Sequence, residues 1–355
     1  MDATASRRAQ LVGTGLIGGS IGLALRRRGW HVTGRDRDAD RAGRALELGA
    51  VDVVGDDPDA ELTFVATPVG SVADEVAHAL KGGGVVTDVG SVKASIVGAV
   101  DNPRFVGGHP MAGSEQEGVD GADPELFSGA VWVLTPVSST DAAAHSLVRS
   151  VVASLGAEVV ELAPDRHDAL VAVVSHVPHL TAATLMSLAA EGAEEHGALL
   201  RLAAGGFRDM TRIAAGHPGI WPDICTENRE AIAEVLTRLE SALATMRAVV
   251  EAGDRDALLV SLERARAARV SLPSRVTEPG AMAEVRVPIP DRPGVLAEIT
   301  TLATELGVNI ADVEIAHSSE GATGVLILVC DADHTERLRG GLVARGYRPS
   351  ARGLE

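Results

Sequence analysis

The stretch "LVGTGLIGGS", residues 11–20, limits the possible folds of this chain more than any other. It carries Gly-x-Gly-x-x-Gly as Gly13, Gly15 and Gly18, with an apolar run before it and the amphipathic segment "LIGGSIGLALRRRG" after it. A strand, a glycine turn and a helix in that order begin a βαβ unit shaped for a dinucleotide, provided an acid closes the second strand. Asp36, in "GRDRD", follows Gly13 by 23 residues, close to the ~20 expected of an acid that binds ribose hydroxyls. Gly13 permits the tight turn, Gly15 lets a pyrophosphate approach the backbone, and Gly18 lets helix and strand close on each other. The amides of Leu16 and Ile17 open the helix and offer partial positive charge to phosphates. A carboxylate at Asp36 repels a 2′-phosphate, which favours NAD over NADP. Arg35 and Arg37 beside it read as solvated surface charges, with phosphate binding as the other option.

The rest of the first 162 residues repeats the alternation. Apolar runs "HVTGRD", "LTFVATPV", "GVVTDVGS", "FVGGHP" and "AVWVLTP" each end in small or turn residues. Helical pieces lie between them, one of them, "RAGRALELGA", closing on a glycine suited to a C-cap. Strands alternating with helices imply an α/β domain, a doubly wound Rossmann-type parallel sheet, over 1–162. Residues 163–272 turn to long Ala- and Leu-rich helices, an all-α segment whose apolar faces suit a partner subunit. Residues 273–282, "PSRVTEPGAM", have linker composition, and 283–355 read as β-α-β-β-α-β, a small ferredoxin-like domain.

Acidic residues outnumber basic ones by 49 to 32, a net charge of −17, which excludes a nucleic-acid-binding face. Any anionic ligand must therefore be held by a few local cations or helix N-termini. Cys225 and Cys330 offer neither a disulfide framework nor a metal-ligand spacing. No signal-like leader and no run of 18 uninterrupted apolar residues occurs, so a cytoplasmic protein with no membrane partner is expected.

The strand ends of the first domain deliver polar residues to one edge. "VATPV" supplies Thr67 and Pro68 to the cofactor, "TDVGSVK" supplies Asp88, Ser91 and Lys93, and "GGHPMAGSEQEG" supplies His109, Ser114 and Glu115. In open α/β sheets such residues converge on the ligand crevice. Gly107 and Gly108 are expected to let this strand end approach the crevice, while Pro110 stiffens the exit. His176 and His179, in "SHVPH", lack a carboxylate or cysteine to complete a ligand set, so no metal is expected. His167 and Asp168, in "DRHDAL", hold the histidine cluster or orient the domain, although a helix-start cap is the plainer account of the aspartates.

In their order, "GTGLIGGS", "ATPV", "DVGSVK", "GGHPMAGSE", "SHVPH" and "GGFRDMTRIA...WPDICTEN" resemble the prephenate dehydrogenases of tyrosine biosynthesis, over roughly 9–270. "IPDRPGVLAEIT" with "VNIADVEI" resembles an ACT domain. The resemblance implies NAD-dependent oxidative decarboxylation of prephenate to 4-hydroxyphenylpyruvate. It makes His109 the acceptor of the ring-hydroxyl proton, Ser91 a partner of that hydroxyl or of the histidine, and Lys93 a support of the catalytic pocket. It gives Arg212 and His179 to the substrate, with Ser114 and Glu115 at the pocket mouth. It also implies an amino-acid effector, tyrosine foremost, near Asp291, Pro293, Gly294, Asn309 and Ile310, and a homodimer. Three rivals stay open: arogenate dehydrogenase, a β-hydroxyacid dehydrogenase, and a non-catalytic NAD and amino-acid sensor. Against the second, no lysine follows Lys93.

Overall fold

The computed structural model describes residues 6–113, 116–195, 199–272, 282–290, 292–317 and 323–353. Ser114, Glu115, Asp291 and the linker up to residue 281 lie outside the described residues. Residues 1–186 with 213–243 form one compact unit, and 187–212 with 244–355 form another.

The first unit opens with β1 (Arg8–Val12), α1 (Leu16–Arg26), β2 (His31–Arg35), α2 (Ala39–Glu47) and the short β3 (Val53–Val54). It continues with β4 (Leu62–Val65), α3 (Val69–Ala79), β5 (Val85–Asp88), α4 (Ala94–Ala99) and β6 (Phe105–Pro110), then β7 (Val131–Thr135), α5 (Ala142–Ser154) and β8 (Glu158–Glu161). The order across the sheet is β3-β2-β1-β4-β5-β6-β7-β8. Both faces are covered, so neighbouring strand residues enter different cores. Leu11 and Phe64 join Trp132 and Leu134 on one side, while Val12 and Val65 join Val72, Val76 and Ile96 on the other.

The doubly wound parallel sheet forms as expected, with one antiparallel pairing towards its far edge. Strands β1 to β6 run parallel, but β7 pairs antiparallel with β6, and β8 runs with β7. A parallel return requires a long crossover, usually a helix. Between Pro110 and Val131 the described residues hold only a 3₁₀ turn, Val119–Gly121, and the chain comes back the other way.

Beyond β8 the chain enters α6 (Pro164–Val171), one π turn (Ala172–His176) and α7 (Val177–Glu195). The π turn has a local cause. Pro178 has no N–H, and in a regular helix its ring would press on the carbonyl four residues back. Val177 N instead donates to Ala172 O, widening the turn just ahead of the proline. Then follow α8 (Gly205–Thr211), α9 (Trp221–Glu227, with Pro222 in its first turn), α10 (Arg229–Glu251) and α11 (Arg255–Val270). Ala172, Val177 and Ile232 form a small core with Leu180, Leu236 and Leu239.

In the second unit, β9 (Met282–Pro290), α12 (Val295–Glu305), β10 (Ile310–His317), β11 (Thr323–Asp331), α13 (Thr335–Ala344) and β12 (Ser350–Gly353) build a four-stranded antiparallel sheet in the order β10-β11-β9-β12. This is the ferredoxin-like arrangement, its tail supplying the fourth strand. Val285, Val287, Leu326 and Leu328 pack under Ile299, Leu302, Leu338 and Leu342.

Candidate active site

The glycine loop has the form its sequence requires. Gly13 adopts φ +95°, a left-handed conformation that favours glycine. A Cβ at Gly18 would collide with Gly13 O, so helix and turn touch there. A Cβ at Gly15 would meet nothing within 4 Å, which leaves open space beside the uncapped N-terminus of α1. An anion fits that space, facing backbone amides at the positive end of the helix dipole. Thr67 Oγ1 is buried and without a hydrogen-bond partner among the described residues. Both observations fit a dinucleotide held by Gly13, Gly15, Leu16, Ile17, Gly18, Thr67 and Pro68.

Asp36 turns towards this loop: Thr14 N donates to its Oδ2 at 2.8 Å and Asp38 N to its Oδ1 at 3.0 Å. Arg35 is neither a free surface charge nor aimed at a phosphate. Its guanidinium is ion-paired with Asp56, at 2.7 Å, and with Glu75. Arg37 is exposed. The local charge that a ribose would meet is therefore the carboxylate.

His109 lies on β6, whose C-terminal end reaches the same edge of the parallel strands as the Gly13 loop. The whole strand is buried, and His109 itself is 9% exposed. Its two preceding glycines are there for the sheet, not for the crevice. A Cβ at Gly108 would sit 2.7 Å from Asp88 O and 3.1 Å from Trp132 Nε1, so β5 and the Trp132 side chain already fill that space.

Beneath β6, Lys93 is fully buried and its ammonium is committed. It pairs with Asp88 and donates to Gly108 O at 2.8 Å. Asp88 also accepts from Gly90 N at 2.8 Å and from Gly108 N at 3.0 Å. Lys93 thus fixes the backbone next to His109 and does not itself face a ligand. Burial pushes its pKa below the usual lysine value, with Asp88 opposing the shift. Ser91, half-buried on the loop after β5, makes no hydrogen bond among the described residues.

Facing His109 are residues that the sequence left without a firm role. His109 Nδ1 is 2.8 Å from His167 Nε2, the rings meeting edge to face at 71°. His167 Nδ1 is 2.7 Å from Asp168 Oδ1. Asp168 caps no turn of its own helix, which begins on Pro164 without a side-chain cap. It accepts from Lys93 N and Ala94 N, both at 2.8 Å, and so caps α4 instead. Asn228 donates to Asp168 O at 2.9 Å and lies 3.1 Å from His176 Nδ1. Helix phase held a readable signal: His167 and Asp168 share the buried stripe of α6 with Val171. Asn228, at the C-cap of α9, had no such signal.

His179 is half-buried and stacks on Trp221, ring centroids 3.6 Å apart and planes 14° from parallel. His217 accepts from Gly219 N at 3.0 Å, the plain turn expected of it. Arg212 and Arg208 belong to the other unit, both exposed, Arg212 at the C-cap of α8. In that unit Gly294 is left-handed at φ +90°, opening α12 after Pro293, while Ile310 starts β10 beside Asn309. No group of three potential metal ligands occurs among the described residues.

Burial, with the neighbouring His167, Lys93 and His176, holds His109 well below the ordinary histidine value of 6.5. Burial also lowers His176 to about 4, against the opposing effect of Asp168. Both rings are therefore neutral in the folded protein near neutral pH. In the unfolded chain they protonate near ~6.5, so the unfolded state binds more protons below that pH. The stability of the neutral rings is complete above 6.5 and is lost as the pH falls towards 4. The urea midpoint is expected to be lower at pH 5 than at pH 7.5, and less so in His176→Gln. An equal drop in that variant would contradict the assignment for His176.

Comparison with known proteins gives a consistent picture. The family model described as prephenate dehydrogenase, nucleotide-binding domain, matches residues 21–161, and the one described as its dimerization domain matches 163–264. An ACT domain model matches 279–339. Prephenate dehydrogenase of Bacillus subtilis is 34% identical over 342 residues, covering 91% of this chain and 92% of its own. The structure of prephenate dehydrogenase from Aquifex aeolicus, solved with hydroxyphenyl propionate and NAD+, has a TM-score of 0.71 at 29% identity. It covers 77% of this chain and all of its own. Synechocystis arogenate dehydrogenase has a TM-score of 0.64 at 32% identity, covering 74% and 98%.

Proposed function

This chain belongs to the prephenate dehydrogenase family, and from that premise we infer that it converts prephenate to 4-hydroxyphenylpyruvate, an NAD-dependent oxidative decarboxylation. The observation that carries the reading is His109, a neutral buried imidazole at the same sheet edge as an anion-ready glycine loop.

Prephenate has a hydroxyl on C4, a carboxylate on C1 and a pyruvyl side chain. Bound NAD+ supplies the acceptor for the hydride lost from C4. The chain must take the hydroxyl proton and hold two carboxylates while CO₂ leaves C1 and the ring becomes aromatic. Neutral His109 takes the proton. The Ser91 hydroxyl, which has no protein partner among the described residues, holds the same oxygen. Lys93 and Asp88 keep the His109 strand end in place. In this reading Arg212 takes a substrate carboxylate through a bidentate guanidinium contact, and His179, whose ring Trp221 holds flat, is a substrate-side contact.

The ACT domain carries regulation in this reading. Tyrosine binds near Asp291, Pro293, Gly294, Asn309 and Ile310 and lowers the rate. A second copy of this chain covers the apolar helices. The helical run Pro164–Ala193 is apolar enough by length and composition to cross a membrane, and only 28% of its most apolar window is buried within the chain. Its place in the matched dimerization domain supports a partner subunit over a lipid one. A biosynthetic role places the enzyme in the cytoplasm.

One assay tests the whole reading: NADH formation from prephenate and from arogenate, with NAD+ and with NADP+, with and without tyrosine. The expected result is a higher kcat/KM for prephenate with NAD+ and a rate lowered by tyrosine. A ratio favouring arogenate would reassign the substrate. One favouring NADP+ would remove the role given to Asp36.

A further inference from the structure

We propose that His167 and Asp168 are positioning residues that fix the proton of His109 on Nδ1 and so present Nε2 to the substrate as the base. The proposal rests on the reading of His109 as proton acceptor and adds to it the two residues that make it one.

Hydrogen-bond accounting carries the inference. Asp168 accepts from two backbone amides, Lys93 N on Oδ1 and Ala94 N on Oδ2. A carboxylate can only accept. The 2.7 Å contact to His167 Nδ1 therefore requires a proton on that nitrogen. In a neutral imidazole the other nitrogen is then bare, so His167 Nε2 accepts. Its 2.8 Å partner, His109 Nδ1, must carry the proton of that bond. His109 Nε2 is left with a free lone pair. One carboxylate thus sets two tautomers in sequence, as the aspartate of a serine-hydrolase triad sets one.

The same chain serves the charged state. When the substrate hydroxyl proton moves to Nε2, His109 becomes an imidazolium whose Nδ1–H still donates to His167. The negative charge of Asp168 lies one ring beyond. Among the described residues, the other charged or titratable groups around His109 are Lys93 with Asp88 under β6 and His176 from the π turn. Lys93 and His176, if charged, disfavour the imidazolium. Asp88 is occupied by Lys93 and two amides. Asp168, acting through His167, is the carboxylate in hydrogen-bonded line with His109.

Nitrogen-15 NMR of the intact wild-type protein reads the tautomer directly, with the His109 signals assigned by their absence from His109→Asn. At neutral pH, Nδ1 should be protonated and Nε2 bare; protonation on Nε2 would overturn the proposal without any further variant. In kinetics, His167→Phe is expected to lower kcat on the order of 10²-fold, with the KM for prephenate and NAD+ changed less than about threefold. His167→Gln, whose side-chain oxygen can accept from His109 Nδ1, should recover most of that loss. If His167→Phe keeps wild-type kcat while His109→Asn does not, the relay is wrong and the base stands. If His109→Asn also keeps wild-type kcat, the underlying reading fails, and the relay with it.

Discussion

Replacing His109 with asparagine should lower kcat on the order of 10²-fold or more while leaving NAD+ binding intact. The size of the effect follows from what the substitution changes. Asparagine is polar and small enough for a strand site that is 9% exposed, and its amide can still donate towards His167. Fold and neighbours therefore survive. What disappears is the basic nitrogen, since an amide takes no proton in the working pH range. The pH dependence should separate the two proteins as well. Burial keeps the wild-type imidazole neutral well below pH 6.5, so its kcat should be flat through neutral pH. The variant depends on solvent hydroxide, and its residual rate should rise with pH. Wild-type kcat in His109→Asn, measured by NADH formation, would remove the assignment.

The parts of this site that were legible from sequence are those whose chemistry is local. The glycine loop needs three glycines and an acid within one βαβ unit, and Gly13, Gly18 and Asp36 take up the geometry their spacing implies. The apolar runs that end in small or turn residues correspond to β1, β2, β4, β5, β6 and β7, most of the sheet. Strand direction is not carried by such runs. Periodicity is identical for parallel and antiparallel strands, and β7 is distinguished by the connection before Val131, whose described residues hold no α-helix. Two strands carry no sequence signal: β3 has only two residues, both exposed, and β8 is Glu-Val-Val-Glu with half-buried valines. The relay behind His109 was illegible for another reason. His109 and His167 are 58 positions apart. Asp168 looks like a cap for its own helix until its amide partners on α4 are seen. Those contacts arise from tertiary packing, and neither composition nor spacing carries them.

The largest stability effect should come from Lys93→Met, expected to cost about 3–5 kcal/mol in denaturant unfolding. Lys93 and Asp88 are both 0% exposed, so neither charge is shared with water. Methionine matches the stem of lysine in volume and fills the site without a cavity. It leaves the Asp88 carboxylate with two backbone amides and no counter-charge, and it strips Gly108 O of its donor. If the charge is the cause, adding Asp88→Asn should recover part of the loss. The amide removes the buried charge and can still accept from Gly90 N or Gly108 N. A double variant no more stable than Lys93→Met would assign the cost to packing instead. The folded fraction of Lys93→Met should also show a lowered kcat, although Lys93 faces no ligand. Gly108 is bonded to His109 through one peptide, and the ammonium is what holds that carbonyl. A stable variant with unchanged kcat would separate the ion pair from the position of the base.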